Sequence, residues 1–172
     1  MRRAVGGKAS ERIYGNLASG NYFDLLGIKP AAGRFFTPAE DVERGAHPVA
    51  VISHTLWTRR FGADPAAVNS TVVVNGSPFT VVGVAPPGFV GVEMGENAEM
   101  WVPMAMIAIA LPSPIPLLDD VNSGWLRSVA RLKPGVTYAQ ANAEVAVVAK
   151  QIVPPNTKAD DEKRVQVQRI QG

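Results

Sequence analysis

Hydrophobic residues fall in short runs punctuated by Gly and Pro, and the spacing within each run predicts its element. Two β-branched runs, 71–74 and 77–84, flank Asn75-Gly76, the pair preferred where both central residues of a tight turn take positive φ, and so predict a β-hairpin. Pro78 has no N–H for a ladder, so the start of the second strand must lie at an edge or in a non-bonded position. Ala85-Pro86-Pro87-Gly88 stops that strand. Val49-Ala50-Val51-Ile52 is a continuous apolar run, the pattern of a strand buried on both faces. Ser53 is placed to cap a helix from His54 to Phe61, with Ile52 and Trp57 as a hydrophobic staple and Trp57 and Phe61 neighbours at i,i+4.

The rest of the chain is read the same way. Residues 11–14 predict a short strand, and Ser19 or Asn21 caps a brief helix whose buried side is Tyr22, Phe23, Leu25 and Leu26 and whose end is Gly27 in a left-handed conformation. Residues 28–48 form an ordered loop pinned by Phe35 and Phe36. Residues 99–103 predict another strand. Pro112, Pro114 and Pro116 mark 105–124 as a flexible or lobe-connecting segment. Trp125 to Leu132 predicts a strand. Thr137 and Gln140 make a capping box that opens the longest helix, which runs to about Ile152 with the stripe Tyr138, Ala141, Val145, Val148, Ala149 and Ile152. Residues 164–170 alternate strictly, as a half-exposed final strand does. The order implies an α+β fold: a mixed sheet with helices packed on one side, in a single domain over residues 1–172 that has room for two small lobes joined near 105–124.

Composition narrows the classes of function. The 172 residues carry Lys+Arg 17 against Asp+Glu 15, but 61–120 holds no Lys or Arg while both flanks are net basic. A nucleic-acid binder spreads cations along a continuous stripe with aromatics among them, so that class is set aside. The absence of cysteine removes thiol nucleophiles, disulfides and zinc–thiolate sites. The basic first residues lack an apolar stretch of the secretion-signal kind, and the longest apolar run, Met100 to Leu111, falls short of the roughly 20 residues a bilayer span needs.

Candidate chemistry is sparse. His47 sits in a loop and His54 opens a helix, with no third ligand at useful spacing. The adjacent carboxylates Glu40-Asp41, Asp119-Asp120 and Asp160-Asp161-Glu162 lack calcium-loop spacing and read as solvated charge. Gly83, Gly88, Gly91 and Gly95 follow a strand, but no Gly-Lys-Ser/Thr follows and Glu93, Glu96 and Glu99 would repel phosphate, so the segment reads as a turn-rich connection. Tyr22, Phe23, Phe35, Phe36, Trp57, Phe61, Phe79, Trp101 and Trp125 lie on elements whose periodicity demands burial, which makes them core rather than pocket lining. The residues point away from an enzyme.

A succession of motifs then stands out: 19–30 around Asn21-Tyr22-Phe23, Gly33-Arg34-Phe35-Phe36, 47–53, Trp57-Thr58-Arg59-Arg60-Phe61-Gly62, Val74-Asn75-Gly76, Pro86-Pro87-Gly88-Phe89, Trp101-Val102-Pro103 and 130–137. Together, over about residues 10–170, they resemble the MacB-like periplasmic core domain, the extracytoplasmic insert between the first two transmembrane helices of FtsX-like ABC transporter permeases, and more narrowly the duplicated permeases common in acidobacteria.

The resemblance implies no catalytic, cofactor or metal residues. It implies structural roles for the motif residues Asn21, Tyr22, Phe23, Gly33, Arg34, Trp57, Asn75, Gly76, Pro87, Gly88 and Trp101, with Arg34 satisfying backbone carbonyls or a carboxylate such as Asp24. It further implies a domain in the periplasm, on an inner-membrane protein, that couples membrane-helix motion to partner or cargo handling in efflux or export. ATP would bind a separate nucleotide-binding domain or subunit. Partners would be the membrane helices of the parent permease, that ATP-binding subunit and a periplasmic adaptor or cargo, with no nucleic acid and a dimer only in the full transporter. The basic flanks would then lie toward anionic head groups and the acidic middle away from them. The alternative expectation is a soluble ligand-binding domain for a small molecule, peptide or lipid.

Overall fold

A computed structural model describes residues 11–92, 97–111, 117–119 and 125–152, in two compact units that divide between Leu126 and Arg127. The first unit is built on a six-stranded mixed sheet: β1 (Gly15–Ala18), β2 (Ala32–Gly33), β3 (Val49–Ile52), β4 (Thr71–Val74), β5 (Ser77–Val84) and β6 (Met100–Pro103). The order is β1-β6-β3-β5-β2, with β4 also on β5. Pairs β1–β6 and β3–β5 are parallel, and β3–β6, β2–β5 and β4–β5 are antiparallel. Thr80 pairs with both Val49 and Thr71, and Val84 with both Ile52 and Ala32, so β4 and β2 lie end to end along the edge of β5 opposite β3.

The β4–β5 hairpin forms as its turn chemistry dictates, with φ 51° at Asn75 and 89° at Gly76. Pro78 faces Val73 on β4, and β3 begins to pair only at Thr80, whose N–H donates to Pro48. The missing proline donor therefore meets no ladder. Strand β3 leads into α2 (His54–Phe61), capped by Ser53 Oγ accepting from Leu56 N at 3.0 Å. Ile52 and Trp57 pack in one cluster, as the staple requires.

The α+β class and the mixed sheet are as predicted, and alternation along the strands divides the core into two faces. Ala50, Ile52, Phe79, Val81, Val84, Met100 and Val102 meet Leu56 of α2 and Met106 and Ala110 on an aliphatic face. Val51, Val82 and Trp101 meet Phe23 and Phe36 on an aromatic one. Thus α2 and α3 (Ile107–Ala110) lie on one side, and the other is covered by α1 (Tyr22–Leu26) and the 28–48 loop.

Several local expectations are corrected. The first strand is Gly15–Ala18 and not 11–14, because the ladder to β6 starts at Gly15, although the Tyr14 carbonyl already accepts from Glu99 N at 2.8 Å. The 28–48 loop contains β2 and a 3₁₀ turn, Pro38–Asp41, opened by a Thr37–Glu40 capping box. The first part of 105–124 is core and not connection: a 3₁₀ turn, Met104–Met106, and α3 bury Ala105, Met106, Ile107 and Ala110. Residues 112–116 and 120–124 fall outside the described residues.

Trp125 and Leu126 end the first unit, where Trp125 Nε1 donates to Leu117 O at 3.0 Å. Residues 126–133 form no regular element where a strand was predicted, and Leu126 and Leu132 are exposed: an apolar run becomes a strand only where a ladder meets it. In the second unit the Thr137–Gln140 capping box is present, with Thr137 N and Oγ1 donating to Gln140 Oε1 at 2.8 and 2.9 Å, and opens α4 (Tyr138–Ile152). Of its stripe Ala141 is buried, Tyr138, Val145 and Ala149 are half-buried and Val148 is exposed. The predicted strand 164–170 lies outside the described residues. Among the described residues no helix is long and apolar enough to cross a membrane.

Candidate functional site

The motif residues of α1 and its surroundings converge on the aromatic face. Helix α1 is one turn closed by Gly27 at φ 70°, whose N–H bonds Phe23 and Asp24 carbonyls, and this aims Phe23 into the core. Phe23 stacks on Phe35 with centroids 4.0 Å apart and meets Phe36 and Trp101 edge-on at 5.3 and 6.0 Å. Gly88, at φ 80° after Pro87, turns the backbone so that Phe89 lies 5.1 Å from Trp101. Tyr22, Phe23 and Trp101 are thus brought together in one six-ring cluster that the sheet, α1 and two loops share, while Pro87 and Gly88 are exposed and lead Phe89 into it.

The cluster contains one anomaly. Trp101 Nε1 is buried and has no hydrogen-bond partner among the described residues. Asn21 caps α1 by position, but its side chain accepts from Ser19 Oγ at 2.8 Å and makes no capping bond to α1.

Gly33 and Arg34 border this face. Gly33 takes φ 66°, and a Cβ there would fall 2.4 Å from Val82 O; a Cβ on Gly83 would fall 2.0 Å from Arg34 O. The partner of β5 jumps from Val81 at Ala50 to Gly83 at Val51, so Val82 is a bulged residue and β2 crosses the bulge backbone against backbone. Gly83 is therefore a strand residue of closest approach, not part of a turn-rich connection. Arg34 forks onto Glu40 at 2.7 and 2.8 Å and donates to Phe35 O at 3.1 Å, so its carboxylate is Glu40 and not Asp24. That contact, with the Thr37 N–H, holds the Glu40 carboxyl at about 2 against the opposing effect of burial.

Besides Glu40, two more carboxylates read as solvated are engaged. Asp41 accepts from Gly20 N at 2.9 Å and from Ala105 N at 2.7 Å, joining the exits of the parallel strands β1 and β6. Asp119 is forked by Arg44 at 2.7 and 2.9 Å, which lowers its pKa although both groups are exposed. Arg59 bridges Glu99 and Glu11, each at 2.6 Å. None of these partners was legible, since each pair is far apart in sequence, but Thr37-x-x-Glu40 is a capping-box signal that could have found the turn at Glu40.

The remaining motif residues lie elsewhere. Trp57 packs on the aliphatic cluster, donates from Nε1 to Asp64 O at 2.8 Å and meets His54 edge-on at 5.4 Å. Asn75 donates from Nδ2 to Ala110 O at 2.6 Å. His47 precedes β3 and His54 follows it, so a strand separates them. Among the described residues no three His, Cys, Asp or Glu are grouped to hold a metal.

The sequence profile of the MacB-like periplasmic core domain matches residues 2–148. The chain belongs to this family. As a MacB-like periplasmic core domain it is 32% identical over 82 residues to the macrolide export ATP-binding/permease protein MacB of Burkholderia thailandensis, a match covering 48% of this chain and 12% of that protein. Its fold is similar to the periplasmic region of MacB from Actinobacillus actinomycetemcomitans, with a TM-score of 0.58 at 18% identity over 88% of this chain and 65% of that one. A domain of a protein described as a permease from Porphyromonas gingivalis gives a TM-score of 0.54 at 18% identity over 90% of this chain and 61% of that one. The core domain thus spans only part of each relative.

Proposed function

We propose that this core domain is the non-catalytic extracytoplasmic part of an ABC transporter permease, and that it couples the motion of membrane helices to the handling of a partner or cargo in export. Family membership over residues 2–148 carries the reading. The way charge is used supports it: the carboxylates of Glu40, Asp41, Glu99 and Glu11 are bound by this domain's own arginines and amides. Such cross-links between distant segments let a small unit move as one piece, as a coupling element must.

On this reading the parent protein sits in the inner membrane with this domain in the periplasm. ATP binds a separate nucleotide-binding domain or subunit, and a dimer forms only in the full transporter. The partners are the membrane helices, that ATP-binding subunit and a periplasmic adaptor or cargo. The net basic flanks lie toward the membrane and the acidic middle away from it.

Val42 offers a test because it is 78% exposed and the sequence has no cysteine. In an otherwise cysteine-free parent protein, Val42→Cys should react with a membrane-impermeant maleimide in intact cells. Reaction only after lysis of the inner membrane would overturn the placement. Coupling is read separately, in proteoliposomes holding the whole transporter: disrupting the Asp41 clip should lower cargo transport per ATP hydrolysed, and an unchanged ratio would count against it.

A further inference from the structure

We propose that Asn75 is a self-modifying site, an asparagine whose conversion to aspartate or isoaspartate is held off by the hydrogen bond from its Nδ2 to the Ala110 carbonyl. Asn75-Gly76 is the only Asn-Gly in the sequence. A following glycine leaves the attacking backbone nitrogen unhindered, and no neighbouring atom lies within 4 Å of where a Gly76 Cβ would be. Gly76 is exposed, so water and base reach its N–H.

The chemistry needs only water. The Gly76 nitrogen loses its proton to solvent base and attacks Asn75 Cγ; the new bond between them forms as the amide bond from Cγ to Nδ2 breaks, and ammonia departs with a proton from solvent. The resulting five-membered imide adds water at either carbonyl. Opening one of its two ring amide bonds gives aspartate, and opening the other gives isoaspartate, with the backbone rerouted through Cβ and Cγ. Nothing is oxidised or reduced.

The fold opposes the first step. With the turn held by the β4–β5 ladder and Nδ2 held at 2.6 Å by Ala110 O, the Asn75 side chain is kept from swinging Cγ onto the Gly76 nitrogen. The step is open only while the hairpin tip is detached from the end of α3. Conversion is then one-way. A carboxylate facing the Ala110 carbonyl is acceptor against acceptor, and an isoaspartate adds a backbone methylene to a two-residue turn whose register admits none. The site therefore records each lasting separation of hairpin from α3.

The test is a peptide-mapped mass-spectrometric time course at alkaline pH on the full-length protein, native and urea-unfolded, with the asparagines not followed by glycine as internal controls. Position 75 should convert at least about fivefold more slowly in the native protein, the factor one net hydrogen bond supplies. Equal rates, or no conversion in the unfolded protein, would overturn the proposal. A variant outside the hairpin, Ile107→Ala, removes a buried side chain from α3 and should raise the rate at position 75 under native conditions. An unchanged rate in that variant, shown folded by circular dichroism, would remove Ala110 as the gate. Should the variant not fold, the native and unfolded rates of the unaltered protein decide alone.

Discussion

The Arg34 guanidinium grips the Glu40 carboxylate through two hydrogen bonds of 2.7 and 2.8 Å, and so ties the end of β2 to the 3₁₀ turn that follows it. With Glu40 held at about 2 against an ordinary 4.5, the folded protein binds fewer protons than the unfolded one between those values. The contribution to stability is therefore complete above the unfolded value and is lost as the pH falls through the folded one. Because Arg34 is 53% exposed, solvent screening limits it to about 1–2 kcal/mol. Glu40→Gln is expected to lower stability by that amount at neutral pH and to flatten the acid limb of the denaturation midpoint. Parallel curves for the variant and the parent below pH 4.5 would exclude this.

Asp41 is expected to matter more than its place in a charged run suggests. Asp41→Ala leaves the amides of Gly20 and Ala105 without their acceptor, at a cost of about 2–3 kcal/mol for two part-buried groups. Asp41→Asn keeps one acceptor oxygen and should fall between variant and parent. Urea denaturation of the three proteins gives the order; an alanine variant as stable as the parent would show that water replaces the carboxylate.

The elements legible in the sequence are those whose signals are local. Asn75-Gly76, the Ser53 cap, Gly27 and the Thr137–Gln140 box each specify a conformation from neighbours two to four residues away, and each formed. What was illegible depends on distant partners: Asp41 meets residues 21 and 64 positions away, and Arg59 meets one 40 positions away. The strand expected at 125–132 failed for the same reason, since an apolar run specifies a pleat but not a neighbour. Gly83 is intermediate. A glycine inside a β-branched run signals a bulge or a close backbone approach, and here Gly83 follows the bulge at Val82 and makes the close approach itself.

Gly83→Ala should therefore be severe, and for a reason unrelated to glycine's flexibility. The added carbon would lie 2.0 Å from the Arg34 carbonyl oxygen, so β2 must leave the sheet edge or β5 must shift. Loss of more than about 3 kcal/mol, or failure to fold, is expected. Gly62→Ala is the control: φ is 62° but the space around it is open, so only the left-handed backbone is penalised, by about 1 kcal/mol. Equal losses for the two variants, measured by thermal melting, would mean that the crossing at the bulge relaxes.

Two helix caps that look alike in sequence are expected to respond differently. Ser53 is buried and its Oγ accepts from Leu56 N, so Ser53→Ala strips a donor of its partner inside the fold and should cost about 1–2 kcal/mol. Asn21 occupies the same position before α1, but its Oδ1 takes the exposed hydroxyl of Ser19, and no α1 amide depends on it. Asn21→Ala should change stability by less than about 0.5 kcal/mol. The comparison also bears on why asparagine belongs to the Asn21-Tyr22-Phe23 motif. A stability-neutral variant that lowers transport in the assembled permease would place the role of Asn21 in contacts outside the domain. A loss of stability matching that of Ser53→Ala would return it to the turn.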